Sequence, residues 1–311
     1  MSNQQPEQTL SYRLSLLTYT KKEELWFTSF ANNFQQVRQG YDIMQLQDYP
    51  REPAFVIGAG PSMEKFGLMD KLSKASGRIF CADRMLKPLL EKGMEPDVCV
   101  TADGDPMVAD FYPDSDYRTK VVLGNQAHPD VLKKLRTPPY WFIPMCDNPK
   151  MPNISVTRAI HWMIRKTMLP PYGNAGGYAF AIANHLGCSP IILMGIDCSY
   201  GEEKNPMRTL YWKGFEEEHK KVGKGIKDVI KECYRFARSG GRYMVLTDIV
   251  FDGYRASLNK GIELTKAEVW NVSPYSIVGI NRVEHDGKWV DASLPNVEHI
   301  TIEEALKRLR K

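Results

Sequence analysis

The stretch that decides the fold is Ala54-Phe55-Val56-Ile57-Gly58-Ala59-Gly60-Pro61-Ser62. Four apolar residues without polar alternation make a short strand buried on both faces. Gly58 and Gly60 then allow a tight turn in which the backbone approaches a ligand closely or adopts positive φ. A helix is expected from there to Leu72. A buried strand, a glycine turn and a helix together form the opening unit of a parallel α/β sheet.

The same alternation extends outward. Apolar runs at 78–82, 97–101, 120–123 and 140–143 read as further strands, with a helix at 85–92. Residues 158–169 and 178–186 read as helices, and 190–195 as a fully apolar strand. Upstream, Leu10, Leu14, Leu17, Leu25, Phe30, Phe34 and Val37 recur as one helical stripe over 8–39, and Pro50 and Pro53 mark the connector into the sheet. Downstream, the polar, glycine-containing residues 201–225 suggest an active-site loop or lid. Ile226, Val229, Ile230, Cys233 and Ala237 form a helical face, as do Leu246, Val250, Tyr254, Leu258 and Ile262. Residues 269–272 read as a late strand, and Thr301 with Glu304 opens a short last helix. The expectation is an α/β, Rossmann-like fold: a mostly parallel sheet with helices on both faces. It comprises an N-terminal helical extension (1–50), the core (51–200) and C-terminal helix and strand additions packed on it (201–311).

Composition bounds the function. With 311 residues, 43% hydrophobic and 25% charged, the chain has ordinary globular content. The net charge of +4 is spread along the sequence without a basic stripe interleaved with aromatics, so no nucleic-acid partner is expected. No apolar run reaches the roughly 18 residues of a membrane span. The polar start at residues 1–5 lacks the basic and apolar regions of a signal peptide, and a cytoplasmic location is expected. The six cysteines contain no Cys-x-x-Cys pair and read as reduced, mostly buried thiols. A homo-oligomer stays open.

Three features could carry chemistry. After the first strand, Gly58, Ala59, Gly60, Pro61 and Ser62 place backbone N–H groups and a helix N-terminus where they could face a nucleotide phosphate. The third glycine of a dinucleotide fingerprint is replaced by Met63, and the Gly-Lys-Ser/Thr ending of a P-loop is absent. A plain strand–helix turn is the alternative. Second, Asp83, Asp103, Asp105 and Asp197 follow strand ends and should converge on one edge of the sheet. Carboxylates so gathered repel unless solvated, protonated or holding a cation, and Mg²⁺ beside phosphates is the natural occupant. Turn capping is the alternative for Asp103 and Asp105. Third, Gly173-Asn174-Ala175-Gly176-Gly177 opens a helix, offering either a second anion- or base-binding surface through Asn174, Gly176 and Gly177, or close helix packing. His128, His161 and His185 are isolated, and His185 reads as a core residue.

These blocks carry a resemblance. Residues 55–112, with Gly58–Ser62, Cys81-Ala82-Asp83 and Gly93-Met94-Glu95-Pro96-Asp97, are similar to the 6-hydroxymethylpterin diphosphokinase MptE-like family. So are Gly173–Gly177, Leu186-Gly187-Cys188 and the run Ile191 to Asp197. The resemblance implies a Rossmann-like core and diphosphate transfer from ATP to a pterin alcohol with Mg²⁺, held here by Asp103 and Asp105 as catalytic and metal-binding residues. The family also contains the motility-associated Maf glycosyltransferases, which use nucleotide-activated sugars. Val245-Leu246-Thr247-Asp248, Phe251, Tyr254 and Trp270-Asn271-Val272-Ser273 resemble the block that closes the Maf core, and the glycine loop also looks like that of bacterial sialyltransferases. The acidic pair lies one position later than in the archaeal diphosphokinases, and the large flanking regions of Maf proteins are missing. Three functions are thus expected as alternatives: a Mg²⁺- and ATP-dependent diphosphokinase with a pterin-like acceptor; a glycosyltransferase with Asn174 and Ser273 near a nucleotide-sugar donor; or a non-catalytic nucleotide-binding protein.

Overall fold

A computed structural model describes residues 10–73, 75–148, 150–151, 153–202, 223, 234–237, 244–285 and 288–310. The chain begins with the long helix α1 (Leu10–Gln39), followed by β1 (Tyr41–Asp42) and β2 (Ala54–Ile57). Helices α2 (Pro61–Lys65) and α3 (Leu68–Leu72) stand where one continuous helix was expected; Gly67 between them takes a left-handed conformation, which breaks it. Then come β3 (Arg78–Ala82), α4 (Leu86–Glu91), β4 (Val98–Thr101), β5 (Lys120–Gly124), α5 (Pro129–Lys134) and β6 (Tyr140–Pro144).

Helix α6 (Val156–Ile164) stops earlier than its apolar pattern suggested, because Arg165 adopts a left-handed conformation. Met168–Leu169 instead forms β7, which pairs with β6. Helix α7 (Ala175–His185) leads into β8 (Ile191–Met194). Its body is buried through Ala183, but His185 at its last turn is exposed, which corrects the core assignment of that histidine.

Beyond residue 200, most of the expected lid and the helical face at 226–233 lie outside the described residues. Ala237 belongs to strand β9 (Tyr234–Ala237), antiparallel to β10 (Met244–Thr247). Leu246 thus lies in a strand, and the helix α8 (Ile249–Leu264) starts after Asp248, whose carboxylate caps it by accepting from the N–H groups of Val250 and Phe251. Strand β11 (Val269–Asn271), the hairpin β12 (Ile280–His285) and β13 (Lys288–Ser293), β14 (Val297–His299) and α9 (Ile302–Arg308) complete the order.

One ten-stranded sheet organises the described residues in the order β1-β6-β5-β4-β3-β2-β8-β11-β14, with β7 beside β6, and every pairing in it is parallel. Strands from the 1–50 and 201–311 segments thus share the sheet of the 51–200 segment. Side-chain alternation splits the interior into two layers. Val56, Phe80, Val100 and Leu193 pack with α7 and α8 on one face. Phe55, Ile57, Cys99 and Met194 pack on the other face with apolar residues of α1 to α6 and α9. Apolar on both sides, the strands must be covered on both sides.

Two consequences position the site. From β2 the chain runs outward through β3 to β6 and then returns to β8 on β2's other flank. The strand order therefore reverses between β2 and β8, and in such sheets the crevice outside the carboxyl ends at that point receives ligands. The second is helix α1, which packs against α8, on one layer, and against α5 and α6, on the other. It therefore crosses the carboxyl edge of the sheet as a roof. Among the described residues, no helix is long and apolar enough to cross a membrane.

Candidate functional site

A cleft of about 620 Å³ opens along the carboxyl edge of the sheet, within the range of small-molecule sites. Its floor is made by strand ends: Gly58 to Pro61 after β2, Asp83 and Arg84 after β3, Asp103 and Asp105 after β4, and Gly195 to Tyr200 after β8. Gly173 to Gly176 and Tyr178 close one side, and Phe251 and Tyr254 of α8 another. Lys22 and Trp26 of α1 reach in from above. Of the residues expected from sequence, Gly58, Ala59, Gly60, Pro61, Asp83, Asp103, Asp105, Asn174, Gly176 and Asp197 therefore meet in one space. Ser62 and Gly177 are buried behind it.

The glycine loop is held differently from a free phosphate cradle. Gly58 N–H donates to Met194 O (2.9 Å) and Gly60 N–H to Gly195 O (2.7 Å). Ser62 N–H donates to the buried carboxylate of Asp197 (2.6 Å), and Ser62 Oγ accepts from Tyr275 N–H (2.9 Å). Asp197 thus supplies the anion at the start of α2, where an acidic group satisfies an otherwise orphaned donor and meets the positive end of the helix. The glycines are required by closeness: a Cβ on Gly58 or on Gly60 would lie 2.6 Å from Gly195 O. Ser273, expected near a donor sugar, is fully buried and accepts from Gly195 N–H (2.7 Å), so it supports this loop from behind the cleft.

The acidic pair is bridged. Lys22 Nζ lies 3.8 Å from Asp103 and 3.5 Å from Asp105. Asp105 also accepts from Met107 N–H (3.0 Å), and Asp103 from Asp105 N–H (3.2 Å), so both do cap the turn that follows β4. Among the described residues, no group of three or more histidine, cysteine or acidic side chains is arranged to hold a metal ion. The neighbouring Trp26 indole N–H is buried without a hydrogen-bond partner among the described residues, a donor presented at the cleft wall.

Asp83 differs from both. Only 8% exposed, it accepts from Thr101 Oγ (2.9 Å) and from Arg84 N–H (2.7 Å). Burial raises its pKa from 3.8 to about 6, since a desolvated carboxylate disfavours its charge. Thr101's one proton is spent on Asp83, so Tyr112 donates to Thr101 (2.7 Å). Beside it, the Arg84 guanidinium stacks 4.6 Å from the centre of the Phe111 ring.

Across the cleft, Tyr200 and Phe251 rings lie 4.8 Å apart, and Phe251 and Tyr254 rings 6.3 Å apart. Tyr200 hydroxyl donates to Asp248, the cap of α8. Asn174 spends its side-chain oxygen on Gly177 N–H (2.8 Å), capping α7, and a Cβ on Gly173 or Gly177 would collide with Tyr254 or Tyr172. The second glycine cluster therefore packs a helix tightly while still lining the cleft. His128 caps α5, and His161 bonds the carbonyl of Lys166. Cys81, Cys99, Cys188 and Cys198 are free, buried thiols.

Sequence reasoning missed Lys22, Trp26 and Arg84. Lys22 and Trp26 lie in a helix whose stripe indicated only packing, and nothing local distinguished Arg84 from a surface arginine. Phe251 and Tyr254 had a signal in the resemblance of their block.

No curated protein matches the chain. Among solved structures, it superposes on that of MAf glycosyltransferase from Magnetospirillum magneticum AMB-1 with a TM-score of 0.60 at 16% identity. The match covers 93% of this chain and 41% of that one, and the likeness is one of fold. The sequence profile of the family described as 6-hydroxymethylpterin diphosphokinase MptE-like matches residues 28–203, which takes in the glycine loop, the acidic edge and the second glycine cluster. The chain belongs to the 6-hydroxymethylpterin diphosphokinase MptE-like family.

Proposed function

We propose that this protein transfers a sugar from a nucleotide-activated donor to a hydroxyl acceptor, with side chains rather than Mg²⁺ balancing the charge. The observation that carries this reading is the ammonium of Lys22 between Asp103 and Asp105. It occupies the space between the two carboxylates that a Mg²⁺-dependent diphosphokinase would need as ligands. The fold likeness to a Maf glycosyltransferase extends over the C-terminal part of the chain and supports the same reading.

The donor nucleotide lies along the carboxyl edge, with its phosphates toward Lys22 and the Trp26 N–H. The transferred sugar faces Tyr200, Phe251 and Tyr254. The sugar–phosphate C–O bond breaks and its electron pair leaves with the phosphate oxygen, whose growing charge is offset by the Lys22 ammonium and the Trp26 N–H. The acceptor oxygen bonds to the anomeric carbon, and its proton passes to Asp103, the more exposed of the two acids. Prior positioning in a walled cleft supplies much of the rate.

A second reading, diphosphate transfer from ATP to a pterin-like alcohol, is favoured by the presence of two carboxylates at the cleft. There, Asp103 and Asp105 would hold Mg²⁺ once Lys22 moved aside. Calorimetry with CMP, UDP, GDP and ATP, each in Mg²⁺ and in EDTA, separates the two. Sugar transfer predicts selective binding of one nucleotide whose Kd changes less than about twofold on adding EDTA. ATP binding that weakens tenfold or more in EDTA overturns it in favour of the diphosphokinase.

A further inference from the structure

The acids of the cleft are not alike. Asp97, at the other end of β4, is tied to Arg78 (3.0 Å) and to Ile79 N–H (2.8 Å) and belongs to the scaffold. Asp83 makes no ion pair among the described residues, although it is almost wholly buried. A lone buried carboxylate is costly, and such groups concentrate where a ligand needs them. Its place is informative too. It is the first residue after β3, the strand beside β2, and the loop after β2 carries the glycine turn. In dinucleotide-binding sheets, whose third glycine is Met63 here, an acid about 20 residues beyond the glycine turn accepts from the ribose 2′-hydroxyl.

The local geometry fits that role. Thr101 and the Arg84 N–H each occupy one lone pair on a different oxygen of Asp83, leaving one free acceptor position per oxygen. The Tyr112–Thr101 pair fixes the orientation from below. Next to the carboxylate, Val108 and the Arg84–Phe111 stack form a flat wall at the cleft, suited to one face of a base. We infer that Asp83 is the ribose-recognition residue of the nucleotide subsite. Its two oxygens accept the 2′- and 3′-hydroxyl protons, the base lies on Val108 and the Arg84–Phe111 stack, and ribonucleotides are selected over 2′-deoxyribonucleotides. This rests on the nucleotide-binding part of the proposed function and adds the sugar of the nucleotide to it.

The test is paired calorimetry of CMP with dCMP, UDP with dUDP, and ADP with dADP on the full chain. A hydrogen bond to a charged group predicts that the wild type prefers the ribonucleotide by about ten- to 100-fold. Asp83→Asn, which conserves volume, should reduce that ratio to about threefold or less, weakening the ribonucleotide more than the deoxynucleotide, which keeps only its 3′-hydroxyl contact. A merely structural role would weaken both ligands alike. Thr101→Val, which removes the hydroxyl that links Asp83 to Tyr112 and so frees the orientation of Asp83, should give an intermediate ratio. Equal ribo and deoxy binding by the wild type overturns the inference, as does a ratio unchanged in Asp83→Asn. Absence of any nucleotide binding would instead remove the proposed function, and this inference with it.

Discussion

Replacing Gly60 by alanine adds one methyl group where the loops after β2 and β8 meet. The backbone of Gly60, at φ −70° and ψ 164°, is comfortable for any residue, so no conformational strain arises. In the unfolded chain the substitution is favourable by about 0.4–1 kcal/mol, because alanine has fewer states to lose. Against this stands the contact. The new Cβ would lie 2.5 Å from Asp197 Oδ2 and 2.6 Å from Gly195 O. The first is a carboxylate pinned by Ser62 N–H, and the second is backbone that accepts from Gly60 itself, so neither can yield alone. Overpacking of this kind costs about 1–3 kcal/mol, with the upper end expected where backbone must shift. The net expectation is destabilisation by roughly 1–2 kcal/mol and a melting temperature lower by about 2–8 °C. Gly93→Ala is the control. Among the described residues its Cβ meets nothing within 4 Å, but its φ is +72°, so it should lose about 1 kcal/mol through backbone strain alone and leave nucleotide affinity intact. Differential scanning fluorimetry and nucleotide calorimetry on both variants read the outcome. A Gly60→Ala protein as stable as wild type, with unchanged affinity, would refute the argument that these loops need their closeness.

Three further outcomes follow from individual contacts. Asp83 has a folded pKa of about 6 against 3.8, so ionising it weakens the fold as pH rises through that window and the cost is constant above it. With Arg84, Asp103 and Tyr112 around it unchanged, Asp83→Asn without ligand should melt higher than wild type at pH 8. The upper limit of the gain is roughly 3 kcal/mol, and the gap should close between pH 6 and 4 in a pH series of melts; a gap that widens on acidification contradicts the burial argument. Asp252→Ala removes the carboxylate paired at 2.5 Å with Arg255, a pair less than one-eighth exposed, and should cost about 3–5 kcal/mol in urea unfolding. Lys22→Met should lower nucleotide affinity about ten- to 100-fold with little change in melting temperature, since the lysine is one-third exposed; unchanged affinity would remove Lys22 from the phosphate subsite.

Much of the architecture was written locally. Apolar runs such as 54–57 and 191–194 declare two-faced burial by their lack of alternation, and two-faced burial demands a parallel sheet covered on both sides. Once the strands are parallel, every acid just past a strand end lies on the same edge, so Asp83, Asp103, Asp105 and Asp197 were legible as neighbours from their positions alone. Local pattern was weaker where one backbone angle decides. Gly67 and Arg165 end helices whose apolar periodicity ran on, and β7 follows instead of the end of a helix. What each acid does was decided only by the fold. Asp197 closes on the glycine loop, and Asp103 and Asp105 meet a lysine about 80 residues earlier in the chain. Asp83 is buried beside a threonine that only the β3–β4 pairing brings near. These partners come from elements distant in sequence, and charge and burial depend on all that surrounds a group in space. The sequence by itself therefore determined the central strands of the sheet and the edge at which the acids gather, while β1, β7 and β14 were not legible in it; the tertiary structure alone decided which carboxylate braces a loop, which pair is bridged and which one lies buried at the cleft with no ion pair among the described residues.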